Sequence, residues 1–290
     1  MEFVCRDFPQ FGVQLIPPSS PDYEPLLEEI RRRVDKPTKG SPPVLDLTRP
    51  RFLEEDRATS AILVNRGAHG IAAIQQVWTF QHTDGRTFTR SFGPGANPVL
   101  LPFGLPEEQL KLYRYWHVIL PGSKRYLNAN GQIAGDNRDV RPPQPDELWS
   151  GGIGMGGGGG GGYSYPVPLQ KVTLTLDGLF FDDGGFLGPD RKGLWEQVVV
   201  NVELFLELAA LAKQMRHKSA STQAIFEEIH TITGPLTDPL PPSQRGGARE
   251  EALRKLVLLI RAFRQKLGDD RAVEMVASWA DQPLPHFRRL

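Results

Sequence analysis

The spacing of apolar residues changes from strand-like to helical near Pro189, and that change restricts the fold more than any other feature. Before it, apolar and polar residues alternate over short runs. Lys171–Phe181 places Val172, Leu174 and Leu176 on one face, with Phe180 continuing it. After it, Leu194, Val198, Val202, Phe205, Leu206 and Ala209 recur at helical spacing from about Arg191 to His217. A period of two marks a strand and a period near four marks a helix, and each segment must bury its apolar side. From Ala58 onward a run of strands is followed by a run of helices, which predicts an α+β chain.

Within the first part, Ala61–Val64 is a short apolar run and Asn65–Gly70 a turn by composition. Ile71–His82 reads as a long strand with Ile74, Trp78 and Phe80 on one face. Thr83-Asp84-Gly85 turns the chain. Arg86–Phe92 returns, with Phe88 and Phe92 on one face and Thr87, Thr89 and Ser91 on the other. Asp-Gly between alternating runs is a strong hairpin signal. Leu110–Leu120 and Lys124–Ile133 are further strands, joined by a corner at Leu120-Pro121-Gly122. Asn65 is expected to bond neighbouring backbone where a strand leaves its sheet, and Trp78 to be a core aromatic.

In the second part, helices are predicted over Arg191–His217, Ser221–Thr233 and Ala248–Leu267, with a last one capped by Asp269 or Asp270 and ending near Asp281. Leu253, Leu256, Val257, Ile260, Phe263 and Leu267 form the buried stripe of the third. The chain also holds 30 glycines and 26 prolines, about a fifth of its residues against about 12% in ordinary proteins. They mark joints. Residues 1–20 read as a Pro-punctuated arm carrying Cys5 ahead of any folded element. Ser20 and Pro21 then open a short helix with Leu26, Leu27, Ile30 and Val34 on one side. The expected organisation is an arm, short helix and Pro-rich linker over 1–50, a β-sandwich over 51–190, and a helical region over 191–290. Ten glycines fall between Gly151 and Gly162, a segment with no side chains to bury and therefore a loop.

Ala61–Gly85 joins Ile62-Leu63-Val64-Asn65, a small polar turn, Ile71-Ala72-Ala73, Trp78 and Asp84-Gly85. This resembles the second and third strands of bacterial immunoglobulin-like or fibronectin-like sandwich domains. Leu120-Pro121-Gly122 looks like the corner before a late strand in such domains, and Leu174–Pro189 is similar to a closing strand and exit loop. The resemblance covers about residues 58–190. It implies an immunoglobulin-like antiparallel β-sandwich with an appended helical C-terminal region, and it carries over no catalytic residue.

Motifs for chemistry are sparse. Gly152–Gly157 matches GxGxxG, but no strand feeds it and no helix follows, so it has no phosphate-binding helix end. Asp177, Asp182, Asp183 and Asp190 could offer oxygens to a cation, yet the twelfth position counted from Asp182 is Gly193, where an EF-hand needs Glu; turn chemistry is the reading preferred. His69, His82, His117, His217, His230 and His286 make no HExxH or His-x₃-His pair. No GxSxG is present. Cys5 is the sole cysteine, so no disulfide forms within the chain. Glu227-Glu228 and Glu54-Glu55-Asp56 adjoin in sequence only. Arg245, Arg249, Arg254, Lys255, Arg261, Arg264 and Lys266 are read as the polar face of an amphipathic helix. No catalytic, cofactor-binding or metal residue is assigned.

The 34 basic and 34 acidic residues balance, which argues against a globally basic nucleic-acid binder. The N-terminus has no basic, then apolar, leader, and no apolar run reaches the length of a span. A soluble protein is expected, the single cysteine fitting a reducing cytoplasm. Its expected function is a non-enzymatic protein-binding or assembly module with another protein as partner. The alternative is a hydrolase-type enzyme with a site assembled from distant residues such as His82, His117 and Asp177.

Overall fold

A computed structural model describes residues 1–34, 57–93, 118–129, 133–136, 168–233, 248–281 and 286–290. Among these residues the strands are β1 (Glu2–Arg6), β2 (Val13–Ile16), β3 (Ser60–Asn65), β4 (Ile71–His82), β5 (Thr87–Phe92), β6 (Lys124–Asn128), β7 (Ile133–Asp136), β8 (Leu169–Phe181), β9 (Gly185–Leu187) and β10 (Arg288–Arg289). The helices are α1 (Tyr23–Val34), α2 (Leu194–His217), α3 (Thr222–Thr233), α4 (Ala248–Leu267) and α5 (Asp269–Ser278). The linkers at 36–50 and 235–247, residues 110–117 of the strand expected over Leu110–Leu120, Glu54–Asp56, His117 and the glycine tract 151–162 lie outside the described residues.

The chain is α+β, with two mainly antiparallel sheets. One runs β10-β9-β8-β4-β5, with β1 also paired to β8; the other runs β2-β3-β6-β7. Two pairings, β1 with β8 and β10 with β9, are parallel, which departs from the all-antiparallel expectation. Inward residues of both sheets meet in one core: Leu15, Leu63 and Leu127 from one, Trp78, Phe80, Leu174 and Leu176 from the other.

Residues 2–6 and 13–16 correct the expectation of an N-terminal arm. Each contributes a strand, one to each sheet. Phe3 and Cys5 pack against the shared core, and Val13 and Leu15 lie inside it. Pro9 between the two strands and Pro17-Pro18 after them interrupt the alternation. Gly12 makes the crossing possible: its φ is 75°, and a Cβ there would sit 2.5 Å from the backbone nitrogen of Gly67.

Every residue of β3 is buried. Ala61 and Leu63 face the shared core, while Ile62 and Val64 face outward onto Tyr23, Leu27 and Ile30 of α1. A strand covered on both faces reads as a continuous apolar run, not an alternation. Each fully buried side chain of this kind stabilises the fold by roughly 1.5–3 kcal/mol. Lys124 reaches across to Glu29 of α1, with only 10% of its side-chain surface exposed.

β8 holds a bulge. Gln76 pairs with Leu176 and Gln75 with Gly178, so Asp177 is the extra residue. Inward positions run 172, 174, 176 before it and 179, 181 after it. Phe180, expected to continue the face of Val172–Leu176, is therefore turned to the other side. There it joins Phe186, Leu194 and Val198, with Trp195 and Phe287 against them.

That second cluster is where the helices begin. The first turns of α2 sit on the end of the β8 sheet, and the rest of α2 packs with α3, α4 and α5 around Leu208, Ile229, Leu256 and Val276. Both dispositions open to the helices, packing on a sheet and forming a bundle, are thus used by one helix. Phe205 and Trp279 stack at 3.8 Å between centroids. The start of α5 differs from expectation: Gly268 (φ 80°) holds the cap position. Asp269 follows in the first turn and takes two guanidinium bonds from Arg264, each 2.9 Å. Residues 288–289 leave the helical region and rejoin the β8 sheet.

Candidate functional site

The outer face of the β8 sheet is polar, as its alternation requires. The strand register sets its residues abreast. Val4, Thr173, Thr79 and Thr89 make one row, and Arg6, Thr175, Val77 and Ser91 the next. Threonine suits a pleated surface and presents a hydroxyl that both donates and accepts. From these rows Thr173, Thr79, Thr89, Thr175 and Val77 floor a cleft of about 390 Å³. Arg6 lies at one side of it, and Asp177, Arg191 and Lys192 also line it.

The bulge builds that end. Asp177 is 1% exposed. Its carboxylate accepts the Lys192 N–H at 2.9 Å, and its carbonyl accepts the Asp190 N–H at 2.8 Å. Asp190 adopts a left-handed φ of 58°, a conformation Asp tolerates better than most residues. Its carboxylate accepts the Trp195 N–H at the start of α2 and an Arg289 guanidinium N–H at 2.9 Å. Gly188 (φ 132°) lies so close that a Cβ would meet the Asp177 carbonyl at 2.5 Å. The Arg191-Lys192 pair is thus presented by a tightly tied loop.

The other acidic residues singled out from sequence do turn work. Asp182 accepts the Gly70 N–H at 3.1 Å, and Asp183 accepts the Gly185 N–H at 3.0 Å and pairs with Arg288. Burial works against the charge of Asp183. The Gly185 N–H, the Arg288 guanidinium and His69 outweigh it and hold its carboxyl below the ordinary value of 3.8. Among the described residues no group of three or more His, Cys, Asp or Glu is placed to hold a metal ion.

The structure does not bring His82 and Asp177 together. His82 is 8% exposed, stacks on Phe88 and pairs across to Leu169. Asp177 is eight residues further along β8, roughly 26 Å at about 3.3 Å per residue. Asn65 meets its expectation: its amide donates to the carbonyls of His69 (2.9 Å) and Ile119 (2.8 Å), and its oxygen accepts the Gly67 N–H (3.0 Å). Trp78 is fully buried. Cys5, within a strand and not ahead of one, has its thiol pushed up to about 12 by burial and then by Asp7. On α4, Arg249 pairs with Glu207 and Arg264 with Asp269. His217, His230 and His286 are exposed.

Sequence reasoning missed the cleft. The threonine alternation on β5 was visible, but β1, β8, β4 and the Arg191 loop are far apart in the chain, and only their register assembles the surface. No helix among the described residues is long and apolar enough to cross a membrane. No known family model matches the chain, and no curated protein or solved structure is detectably similar to it.

Proposed function

We propose that this chain is a non-enzymatic protein-binding or assembly module, built on an immunoglobulin-like sandwich, whose recognition surface is the outer face of the β8 sheet. The carrying observation is the cleft itself. It has a floor of hydroxyls, a rim of exposed cations, and a carboxylate, Asp177, committed to its own backbone. That composition suits hydrogen bonding and charge recognition.

The immunoglobulin-like reading draws support from β3 and β4, consecutive strands that cross between sheets with Trp78 in the core between them. It draws support also from β4 standing between β5 and β8, as a third strand does in variable-type domains. The position of β7 departs from that pattern. The strand outermost beside β6 follows it in the chain, whereas the family order places the earlier strand outside.

A photo-crosslinking amino acid placed at Thr89, on the cleft, and separately at the exposed Glu228 of α3 tests the reading in native cells. A discrete partner protein joined from Thr89, absent from Glu228 and lost on Thr175→Arg, is the expected result. Retrieval of the chain alone, with turnover by the purified protein on a panel of ester, phosphate and peptide substrates, would replace it with the hydrolase alternative.

A further inference from the structure

The cleft's charges define what it would hold, and this step rests on the recognition reading above. Arg6, Arg191 and Lys192 are exposed, and among the described residues none of their side chains has an ion-pair or hydrogen-bond partner. Some cations elsewhere are matched, as Lys171 is by Glu2, Arg57 by Glu24 and Arg289 by Asp190; Arg66, Lys218 and Arg271 are exposed cations on other elements and do not line the cleft. Among the described residues the one carboxylate lining the cleft is Asp177, and its Oδ2 accepts the Lys192 N–H. In a chain whose 34 basic and 34 acidic residues balance, three cations without a partner among the described residues thus stand around one cleft. Arg6 stands opposite Thr175, two residues before Asp177, so the cations flank the same stretch of β8.

We infer that this cleft binds an extended acidic segment of a partner protein, with its carboxylates held by Arg6, Arg191 and Lys192. The floor explains why a peptide fits better than a compact anion. Thr173, Thr79 and Thr89 lie on three adjacent strands. Strands stand about 4.8 Å apart, so the hydroxyl row runs on for roughly 10 Å beyond the cation end. A chain laid along it can use side-chain carboxylates at the rim and backbone groups over the threonines. Guanidinium and ammonium groups bind carboxylates through charge-assisted hydrogen bonds, and exposed ones lose strength as salt rises.

Selection of the full-length protein against a displayed library of random twelve-residue peptides tests this. Fluorescence anisotropy then measures the enriched peptides and their Glu→Gln, Asp→Asn counterparts. Enriched sequences should carry two or more acidic residues and bind at least tenfold more tightly than their amide counterparts. Raising salt from 50 to 500 mM, or the triple variant R6Q/R191Q/K192Q, should weaken them at least tenfold. The single variant K192E should do the same while leaving the thermal transition in place, because the backbone bond to Asp177 does not depend on the side chain. Enrichment of peptides without acidic residues, still lost on Thr175→Arg, overturns the acidic inference and leaves the recognition face standing. Enrichment indifferent to Thr175→Arg, or no enrichment, removes both. Tighter binding of a single-stranded oligonucleotide at the same residues also overturns it.

Discussion

The backbone N–H of Lys192 is bonded to the buried carboxylate of Asp177 at 2.9 Å, across fifteen residues of chain. This bond ties the loop before α2 to the bulge of β8. Asp177→Ala removes the acceptor and leaves a partly buried N–H unpaired, which costs about 1–3 kcal/mol. Asp177→Asn keeps an oxygen in place and should cost less than half as much. Urea unfolding of the two variants checks the order; equal losses would mean that the side-chain volume, not the bond, matters.

Asn65 closes three bonds at the point where β3 leaves its sheet, and it is completely buried. Asn65→Ala should therefore destabilise by about 2–4 kcal/mol, more than most single changes. Asn65→Asp is the sharper test. It keeps the shape and the acceptor for Gly67 but turns one charged oxygen toward the carbonyls of both His69 and Ile119. It should fold no better than the alanine variant, and a stability near wild type in a thermal melt at neutral pH would show that the two donated bonds contribute little.

Much of this was legible in the sequence. The Asp84-Gly85 hairpin, the long β4 and β8, the change to helices near Pro189 and the αL-tolerant corner at Gly122 all follow from local rules. The bulge did not, because alternation assumes that no residue is inserted. Its signal was present in Leu176-Asp177-Gly178: a charge within an apolar strand, followed by the glycine that often marks bulges. Reading it would have turned Phe180 outward and found the seat of α2. The strands in residues 2–16 were hidden differently. Phe3, Cys5, Val13 and Leu15 alternate correctly, but each run is short and prolines adjoin them. The cleft was beyond reach, since the register that sets Arg6 beside Thr175 is a property of paired strands and not of either one.

Asp183 should make the docking of the C-terminal strand sensitive to acid. Its carboxyl is held below the ordinary 3.8 in the fold, so the stability it contributes is complete above that value and is lost as pH falls through the lowered one. Asp84 and Asp269 shift in the same direction, so the wild-type slope alone cannot isolate it. The difference between wild type and Asp183→Asn can. Urea midpoints should differ most at neutral pH, and the gap should narrow as pH falls below about 4. A gap undiminished at pH 3 would show that the amide perturbs the turn in some other way.

Phe287 is expected to hold the last residues against the sheet more firmly than Arg289 beside it. Its ring lies 5.7 Å from Phe180 and 6.1 Å from Trp195, edge-on to both, and it packs into the apolar cluster beneath α2. Arg289 pairs with Asp190 and covers the Trp195 ring at 4.9 Å, but 55% of its side chain is exposed. Asp190 is itself only 9% exposed but keeps the Trp195 N–H when the arginine is removed; an ion pair open to water on its arginine side contributes about 1 kcal/mol, whereas burying much of a phenylalanine contributes about 1.5–3 kcal/mol. Phe287→Ala should therefore release the strand: the Leu290 N–H bonded to the Phe186 carbonyl at 2.8 Å should exchange faster, and Trp195 emission should shift to the red. Arg289→Ala should leave both nearly unchanged. If the arginine variant releases the strand as fully as the phenylalanine variant, charge and not apolar burial anchors it.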